Sequence, residues 1–567
     1  MAKLTRYLNR NLTLALAGVA ICTILLYLIA RTTLFLFADY LWVEKAAASL
    51  LLLAELFIMV HALGYFLNVY HVNRGGGPRG GPRAAATTDG TPQSSAPRFI
   101  DEQAQAQLAE KEPPEVAIIV AAYREPLWLV EETLTCFYNL TYPNKRLFLL
   151  DDTRYDPADQ RSPEMTEYRQ ALDEMCQRIG VHLFRRPWRG AKAGMINDFL
   201  AFLDGRPPEG FELRRSPLDD RPFDIKYVAV FDADMNPLPD FAEPLVAQME
   251  AEPDLAFIQT PQYYSNFESN RVAHAAGMQQ AIFYEYICEG KSSQDTMFCC
   301  GTNVLLRREA LKDVGGFDES SVTEDFATSL RFHSRGWRSA YVNRICAFGQ
   351  GPEDLSSYFK QQFRWALGTV GLFRRILQGL VRSPRQLSAA KWWEYTLSGS
   401  HYFVGWVFLI LVLSPALYLL LGVPSFFARA DIYLLFFFPY IVIALAVFTL
   451  VMSQRKYRLR DLVSGIVLQA TAFPVYIKAS LLGILGVRGT FTTTPKAGSH
   501  AAPLRALWPH LSLIALSIIA ITWGIMRALF EQEPIWAILV NTLWCLYHLG
   551  ILLAVFYFNN PAQEHTA

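Results

Sequence analysis

The sequence predicts an α/β domain that lies between two groups of membrane-spanning helices, and three observations support this fold class. Hydrophobic residues make up 52% of the 567-residue chain and charged residues only 18%, which is too apolar for an ordinary soluble protein. Long apolar runs occur near both ends of the chain. From Pro113 to about Asn343, short apolar strands instead alternate with polar, helix-forming stretches.

Charge and cysteine content argue against several classes of function. The 52 basic and 52 acidic residues balance, so the overall charge does not indicate binding to nucleic acid. The eight cysteines show no paired C-x-x-C spacing, which argues against a zinc site or a disulfide framework and favours reduced thiols in the cytosol. No Gly-x-Gly-x-x-Gly or Walker-type loop follows a predicted strand, which argues against a dinucleotide enzyme or an ATPase.

Two apolar runs at the amino terminus predict membrane spans within residues 1–73. They cover Leu12 to about Ala30 and about Ala46 to Tyr70, and each reaches the roughly 20 residues that cross a bilayer. The second run follows the first at once, so we interpret the first as an uncleaved anchor. Arginines after the second run place that loop and the amino terminus in the cytoplasm. Residues 74–112 are rich in Gly, Pro and Ser and predict a flexible cytosolic linker.

Residues 113–390 contain the predicted sheet. The strands are predicted at Val116–Ala122, Leu147–Leu150, Val181–Phe184, Tyr227–Phe231 and Leu255–Ile258, and helices at Leu129–Leu140, Thr166–Ile179 and Gly194–Leu203. Ligands of such sheets bind beyond the carboxyl ends of the strands. Polar residues collect there in this chain, at Tyr123-Arg124-Glu125, Asp151-Asp152, Asp232-Ala-Asp234 and Gln259-Thr-Pro261.

Asp232 and Asp234 follow the strand Tyr227–Phe231. Residues two apart on an extended chain point to the same face, so both carboxylates can reach one site. Hard oxygen ligands at this spacing suit Mg²⁺ or Mn²⁺ carrying a diphosphate. The local alternative is a turn, because Asp, Asn and Pro are common loop residues after a strand.

Thr323, Glu324 and Asp325 predict the start of a helix, with Thr323 as its N-cap. The alternative is that the two acidic residues only complement the helix dipole. Acidic side chains in the first turn of a helix therefore leave both a structural and a functional interpretation open.

The stretch Tyr358–Gly368 predicts a helix with two distinct faces. Phe359, Phe363 and Leu367 form the apolar stripe of an ordinary amphipathic helix. That stripe does not account for the other face, which groups Gln361, Arg364 and Trp365.

The remaining residues, 391–567, are again strongly apolar. About four spans are predicted near His401–Leu421, Ile432–Met452, Leu507–Met526 and Pro534–Tyr557. Tyr457–Val487 is apolar but carries Arg458, Arg460, Asp461, Gln469 and Lys478, with Pro474 in the middle, so we expect it to lie in the membrane interface. The aromatic residues near the first of these spans either line the entrance of a channel or form an interfacial belt; they are Trp392, Trp393, Tyr395 and Tyr402.

Taken in chain order, these motifs resemble those of membrane-integrated family 2 glycosyltransferases of the bacterial cellulose synthase type. Asp151-Asp152, Asp232-Ala-Asp234, Thr323-Glu-Asp325 and Gln361-Gln-Phe-Arg-Trp365 are similar to the family's D, DxD, TED and QxxRW motifs. Arg189-Gly-Ala-Lys-Ala-Gly194, Phe298-Cys-Cys-Gly-Thr302 and Phe491-Thr-Thr-Thr-Pro-Lys496 resemble its KAG segment, its FFCGS loop and its FxVTxK gating loop. The resemblance covers about Glu115 to Ser499 and departs from the family pattern at Cys299, Thr302 and Thr493.

The resemblance implies a GT-A (Rossmann-like) domain and a role for each group of residues. Asp325 would be the general base, beside Glu324 and Thr323. Asp234 would bind Mg²⁺ or Mn²⁺ directly, with Asp232 in support. The remaining roles are donor binding by Tyr123, Glu125, Asp151, Asp152, Lys192, Asp232, Gln361 and Arg364, acceptor binding by Trp365, Phe298, Cys300 and Gly301, and gating within residues 488–500 by Phe491, Thr494 and Lys496.

The implied activity is processive and inverting transfer from a UDP-sugar, with UDP-glucose favoured, to a β-linked glucan. The polymer would leave through the spans of a multi-pass inner-membrane protein whose catalytic domain is cytosolic. Its expected partners are the nucleotide sugar, the growing polysaccharide, the bilayer and a periplasmic or accessory subunit, with no nucleic acid. The alternatives are a synthase of a mixed-linkage glucan, a β-1,3-glucan, a mannan or a hyaluronan-type polymer, or a scaffold or transporter with an inactive domain.

Overall fold

The computed structural model describes residues 2–39, 41–74, 105, 108, 112–155, 162–424, 430–487, 500–530 and 535–560. Most of the predicted linker and the predicted gating-loop residues Phe491, Thr494 and Lys496 lie outside these ranges.

The centre of the α/β domain is an eight-stranded sheet. Its strands are β1 (Glu115–Ala122), β2 (Lys145–Asp151), β3 (His182–Arg185), β4 (Glu212–Arg214), β5 (Ile225–Asp232), β7 (Leu255–Gln259), β9 (Val304–Arg307) and β10 (Arg338–Tyr341). Their spatial order is β10-β7-β9-β5-β1-β2-β3-β4. Strands β9 and β4 run antiparallel to their neighbours, and the other pairs are parallel.

A second, three-stranded sheet lies at the carboxyl end of β5. It consists of β6 (Asn236–Pro237), β8 (Tyr263–Tyr264) and β11 (Ala347–Gly349), with β11 in the middle. We refer to it as the small sheet.

The helices of the α/β domain cover both faces of the main sheet or lie beside it. They are α3 (Leu127–Tyr138), α4 (Pro163–Ile179), α5 (Lys192–Leu203), α6 (Ala242–Ala251), α7 (Arg271–Ile282), α8 (Cys288–Ser293), α9 (Arg308–Val314) and α10 (Glu324–Ser334), with a π-helical turn at Phe283–Ile287. Buried apolar residues from alternate positions of β1 and β5 form one core on each face. On one face Phe231 packs edge-on against Phe137 and Phe241.

All five predicted strands and all three predicted helices are present, with ends shifted by up to three residues. Within the main sheet the prediction missed β4, β9 and β10. Val304–Arg307 is a four-residue strand with no alternation to reveal it, and Arg338–Tyr341 contains only two apolar residues. Both become strands because they pair with β7 inside the sheet.

Within the described residues, six helical segments are long and apolar enough to cross a membrane, and each overlaps a predicted span. They belong to helices α1 (Ala2–Phe37), α2 (Trp42–Asn73), α12 (Ala389–Ser400) with α13 (Val404–Leu421), α14 (Ala430–Gln454), α17 (Trp508–Phe530) and α18 (Ile535–Phe558). The segment with α12 begins at Ala389, twelve residues before the predicted span. Helix α11 (Leu355–Arg382) connects the α/β domain to these helices.

The segment Tyr457–Val487 forms two helices, α15 (Leu459–Thr471) and α16 (Phe473–Ile484), with an angle of 51° between them. Helix α15 packs on α7, and α16 packs along α11, so both contact helices that belong to or adjoin the α/β domain. The next described residue, His500, donates its backbone N–H to the Asp354 carboxylate at the start of α11. The interfacial position of this bent pair stays a prediction.

Two of the aromatic residues that were predicted to line a channel entrance or to form an interfacial belt do neither of these. Trp392 is buried, and its indole N–H donates to the Pro384 carbonyl at 2.8 Å. Tyr395 is buried against α10, where its hydroxyl lies 2.8 Å from His333 Nδ1. Both predictions were wrong for these residues because the start of α12 packs against protein.

An interfacial α15–α16 pair predicts that residue 500 is on the same membrane side as the α/β domain. In a Cys22→Ser background, we expect a membrane-impermeant maleimide to label His500→Cys in vesicles whose α/β domain faces outward. Asp39→Cys, between the first two spans, should stay unlabelled in that preparation. If both positions are instead labelled only in vesicles of the opposite orientation, α15 and α16 cross the membrane.

Candidate active site

A polar cavity opens beyond the carboxyl ends of β1 and β5, where the sequence places it. It gathers residues from all four motifs and from the KAG and FCCGT segments. The predicted site residues that line it are Tyr123, Glu125, Asp152, Lys192, Asp232, Asp234, Cys300, Gly301, Thr323, Glu324, Asp325, Gln361, Arg364 and Trp365.

Lys192 joins two walls of this cavity. It is the first residue of α5, and its ammonium donates to Asp232 Oδ1 at 2.5 Å and to the Gly301 carbonyl at 2.8 Å. Burial by itself would lower the pKa of Lys192, but the carboxylates of Asp232 and Glu324 outweigh it and raise that pKa. The cation is therefore fixed beside the Asp232-Ala-Asp234 turn.

The loop Phe298–Thr302 is held from two sides. Gln259, at the end of β7, accepts from the Cys300 N–H and donates to the Thr302 carbonyl, both at 2.8 Å. From the other side, Ser329 of α10 accepts from the Cys299 N–H at 2.8 Å. Thr302 in turn accepts from the Asp232 N–H at 3.0 Å. The loop thus fixes the distance between β5 and α10.

Gly301 allows this loop to touch the start of α10. Its backbone has φ +84°, and a Cβ atom there would lie 2.8 Å from Asp325 Oδ2. Only glycine suits both the left-handed conformation and this contact. The Asp325 carboxylate consequently lies against the loop whose Gly301 carbonyl binds Lys192.

The helix start predicted at Thr323 is confirmed, but the predicted capping hydrogen bond is not. Helix α10 begins at Glu324, and the Thr323 side chain makes no hydrogen bond to its first turn. Thr323 instead packs against Gly368 of α11, where a Cβ would lie 2.6 Å from Thr323 Cγ2, and its hydroxyl is 3.1 Å from Ser321 Oγ. Thr323 therefore contributes to the packing of α10 against α11 and does not form a capping hydrogen bond.

Asp325 and Glu324 lie in a low-dielectric part of the cavity. Burial and then the neighbouring Glu324 carboxylate raise the pKa of Asp325 to about 7, and burial also raises the pKa of Glu324. A carboxylate whose pKa is close to neutral is a better proton acceptor than an ordinary exposed aspartate.

The two faces of α11 have separate roles. Gln361, Arg364 and Trp365 line the cavity. The opposite side contributes to an apolar core with α15 and α16, which includes Phe359, Phe363 and Leu367, and there the Tyr476 hydroxyl donates to Gln362 at 2.8 Å. The amphipathic interpretation and the functional interpretation of this helix therefore describe different faces.

Of the adjacent pair at the end of β2, only Asp152 lines the cavity. Burial raises its pKa to about 7 although Arg186, 3.1 Å away, opposes that effect. The Asp151 side chain has 0% exposure and pairs with Arg185 Nε at 2.6 Å. It also accepts from the Tyr155 hydroxyl at 2.8 Å. The predicted direct contact of Asp151 with a nucleotide is therefore not available in this structure, because its oxygens face inward.

Phe298 also lies away from the cavity. Its ring packs edge-on against Phe326, with centroids 4.8 Å apart, and the Lys291 ammonium lies 5.5 Å from its centroid. Phe298 supports the loop from behind and does not line the cavity, and its role in acceptor binding stays a prediction.

Several cavity residues were missed at the sequence level. They are Met235, Gln262, Tyr264 and the run Gln350–Glu353. The strand-end signal at Gln259-Thr-Pro261 indicated the neighbourhood of Gln262 and Tyr264, but Gln350–Glu353 follows β11, which is too short to be recognised from the sequence.

The donors at the cavity fit a divalent cation that arrives with a diphosphate. Asp232 and Asp234 provide carboxylate oxygens, and among the described residues no group of three or more His, Cys, Asp or Glu side chains forms a closed metal site. Mg²⁺ commonly binds through one or two carboxylates, substrate phosphates and water, so two carboxylates are sufficient.

Two family models match the α/β domain and the helices that follow it. Residues 117–315 match "Glycosyl transferase family 2", and residues 227–451 match "Glycosyl transferase family group 2". Together the matched residues, 117–451, include all four motifs. The chain belongs to glycosyltransferase family 2. The predicted GT-A-type α/β domain between membrane helices is confirmed.

The curated relatives of this glycosyltransferase are of the cellulose synthase type. It is 26% identical to the UDP-forming cellulose synthase catalytic subunit of Pseudomonas fluorescens (strain SBW25), over 80% of this chain and 57% of that protein. It is 28% identical to the corresponding subunit of Xanthomonas axonopodis pv. citri (strain 306), over 77% and 56%. It is also 26% identical to putative cellulose synthase 2 of Komagataeibacter xylinus, over 97% and 33%. The chain thus spans about a third to just over half the length of these relatives.

Among solved structures, the glycosyltransferase aligns with mannosyltransferase PcManGT from Pyrobaculum calidifontis in complex with GDP-Man and Mn²⁺. The TM-score is 0.41 and the identity 14%, over 77% of this chain and 100% of that one. A similarity of this size supports no inference about fold or ligand.

Gly301→Ala should reduce activity by at least about tenfold, because the added methyl group displaces the Asp325 carboxylate. Gly315→Ala is the matched control: Gly315 also has a positive φ, +77°, but a Cβ there has no atom within 4 Å. We expect both variants to lose about 1 kcal/mol of stability and only Gly301→Ala to lose turnover. Equal turnover of the two variants would contradict the contact between Gly301 and Asp325.

The raised pKa of Asp325 predicts an acidic limb in the pH profile. Below its pKa of about 7 the carboxyl is protonated and cannot accept a proton, so kcat/KM should fall as the pH is lowered through about 7. Asp152 has a similar pKa, so the profile should also be recorded for Asp152→Asn. The limb persists in that variant if Asp325 causes it, and its disappearance would assign the limb to Asp152.

Proposed function

We propose that this chain polymerises a UDP-sugar, with UDP-glucose favoured, into a β-linked glucan by processive, inverting transfer. The observation that carries the proposal is the single cavity in which two carboxylate motifs, the partly buried Asp325 carboxylate and the Gln361–Trp365 face meet. The similarity to cellulose synthase catalytic subunits supports the glucan as product.

The donor diphosphate would bind between Lys192, Arg364 and the Asp232-Ala-Asp234 turn. Arg364 can hold a phosphate through two N–H groups, and Lys192 adds a fixed positive charge beside it. Mg²⁺ or Mn²⁺, held by Asp234 and supported by Asp232, would neutralise charge that develops on the leaving UDP. Tyr123, Glu125, Asp152 and Gln361 line the remaining donor side.

Asp325 would act as the general base. Its carboxylate takes the proton of an acceptor hydroxyl while the hydroxyl oxygen forms a bond to C1 of the sugar, and the bond between C1 and the diphosphate oxygen breaks. Attack opposite the leaving group inverts C1, so an α-linked donor gives a β-linkage. No covalent sugar intermediate is required, and Glu324 and Thr323 help to keep Asp325 in place.

The acceptor sugar would stack on Trp365, whose side chain lies on the cavity face of α11. Cys300 and Gly301 would bound the same side. Because α11 also packs on α16, a polymer leaving Trp365 would be close to the membrane helices. This proximity supports export through the spans of an inner-membrane protein with a cytosolic catalytic domain. The gating role of Phe491, Thr494 and Lys496 stays a prediction.

A single experiment tests the activity, the sugar and the linkage. The purified full chain in lipid is incubated with individual UDP-sugars and Mg²⁺, and the products are digested with linkage-specific glycanases. We expect turnover with UDP-glucose, a β-glucan product and complete inhibition by EDTA. Turnover with another sugar or linkage would favour a mixed-linkage glucan, β-1,3-glucan, mannan or hyaluronan-type synthase, and no turnover with any sugar would favour the scaffold alternative.

Asp325→Asn should abolish polymer formation and leave UDP binding within about twofold, because the amide preserves shape but cannot accept a proton. UDP release and UDP affinity are the two measurements. Substantial synthesis by this variant would exclude Asp325 as the base.

A further inference from the structure

A cluster of polar side chains around two buried carboxylates lies between the α/β domain and the end of a membrane helix. Glu285 of the π-helical turn and Glu289 of α8 are both about 7% exposed. Arg455, which follows α14, contacts Glu289 at 2.7 Å and Glu285 at 3.4 Å. The Asn343 amide donates to the same two carboxylates at 2.8 and 2.6 Å. We call this group the interdomain cluster.

The interdomain cluster extends to the small sheet through two tyrosines. Tyr457, two residues after Arg455, donates to Glu285 at 3.2 Å. Tyr263 of β8 donates to the same oxygen at 3.3 Å, and the two hydroxyls are 3.1 Å apart. The loop after α14 and the strand β8 are thus joined through one carboxylate.

The small sheet carries part of the cavity wall. Successive residues of a strand point to opposite sides, so Tyr263 faces the cluster while Tyr264 lines the cavity. Strand β11 pairs with β8, and its last residue, Gly349, lies so close to the metal-motif turn that a Cβ would be 3.3 Å from the Asp234 carbonyl. Gln350 then enters the cavity wall. A shift of β8 is therefore transmitted to Asp234.

The chemistry of the cluster favours one fixed arrangement. Two carboxylates share one guanidinium and one amide, and neither carboxylate has bulk water as an alternative partner. A buried group that loses its partner bears the full desolvation cost, so such networks are stable only when every partner is in place. The π-helical turn at Phe283–Ile287 is of a kind that is frequent at functional sites.

We propose that Glu285, Arg455 and Tyr457 are positioning residues, through which the end of membrane helix α14 sets the position of Asp234 and Tyr264 in the cavity. This inference rests on the proposed function for its effect on turnover. It assigns no contact with substrate to the three residues. Donor binding by Lys192 and Arg364 is independent of them, because those residues are held by α5 and α11.

The test uses the full chain in lipid vesicles with the UDP-sugar that supports turnover. Glu285→Gln and Tyr457→Phe should lower kcat about tenfold, with KM for the donor within about twofold and the melting temperature within about 2 °C. The kcat of Arg455→Lys should fall to a similar extent. Arg458→Lys is its matched control, because Arg458 is exposed and lies three residues further along the chain. A kcat at the control value in all three variants would overturn the proposal.

A second measurement does not depend on turnover. Hydrogen exchange should become at least about fivefold faster in Tyr457→Phe and Glu285→Gln for amides of the small sheet, such as Ser265 N–H, which donates to the Gly349 carbonyl at 2.7 Å. Unchanged exchange rates at these amides would also overturn the inference. So would a decrease in kcat that is proportional to a decrease in melting temperature among the three variants. If the unsubstituted chain turns over no UDP-sugar, the proposed function fails, and the exchange result decides the inference separately.

Discussion

The geometry of the site depends on the salt bridge between Lys192 and Asp232. Lys192 begins α5, Asp232 ends β5, and the same ammonium donates to the Gly301 carbonyl. Three segments far apart in sequence therefore meet at one buried cation. A buried ammonium without partners is costly, so each segment holds the others in place. Gly301 also lies against Asp325, which means that the proposed base is positioned by the same contact.

Burial gives the carboxylates of one cavity different properties. Asp325 and Asp152 have their pKa values raised to about 7 by burial, while the Asp232 side chain is 47% exposed and paired with Lys192. A transferase of this family needs both kinds of group, since a leaving diphosphate is held through charge and an acceptor hydroxyl is activated by a base with a near-neutral pKa. The strand ends and the start of α10 provide the two environments side by side.

The cavity shares its structural elements with the membrane region. One face of α11 lines the cavity, and the other packs on α16, where a Cβ atom on Gly483 would lie 3.1 Å from the backbone nitrogen of Gly371. The interdomain cluster makes a second connection, from the end of α14 to the small sheet. Because both connections are buried and specific, a displacement of the membrane helices and a displacement of the cavity wall are not independent.

The sequence by itself determined five of the eight strands of the main sheet, the six candidate spans and the motif order, because hydrophobic periodicity and the length of apolar runs are local properties. It could not separate Asp151 from Asp152 or assign Phe298, because neighbouring side chains on a strand or loop point in opposite directions and only packing reveals which one faces the cavity. The tertiary structure also decided that Trp392 is buried and that Tyr264 and Gln350 line the site. These positions depend on partners that lie far away along the chain.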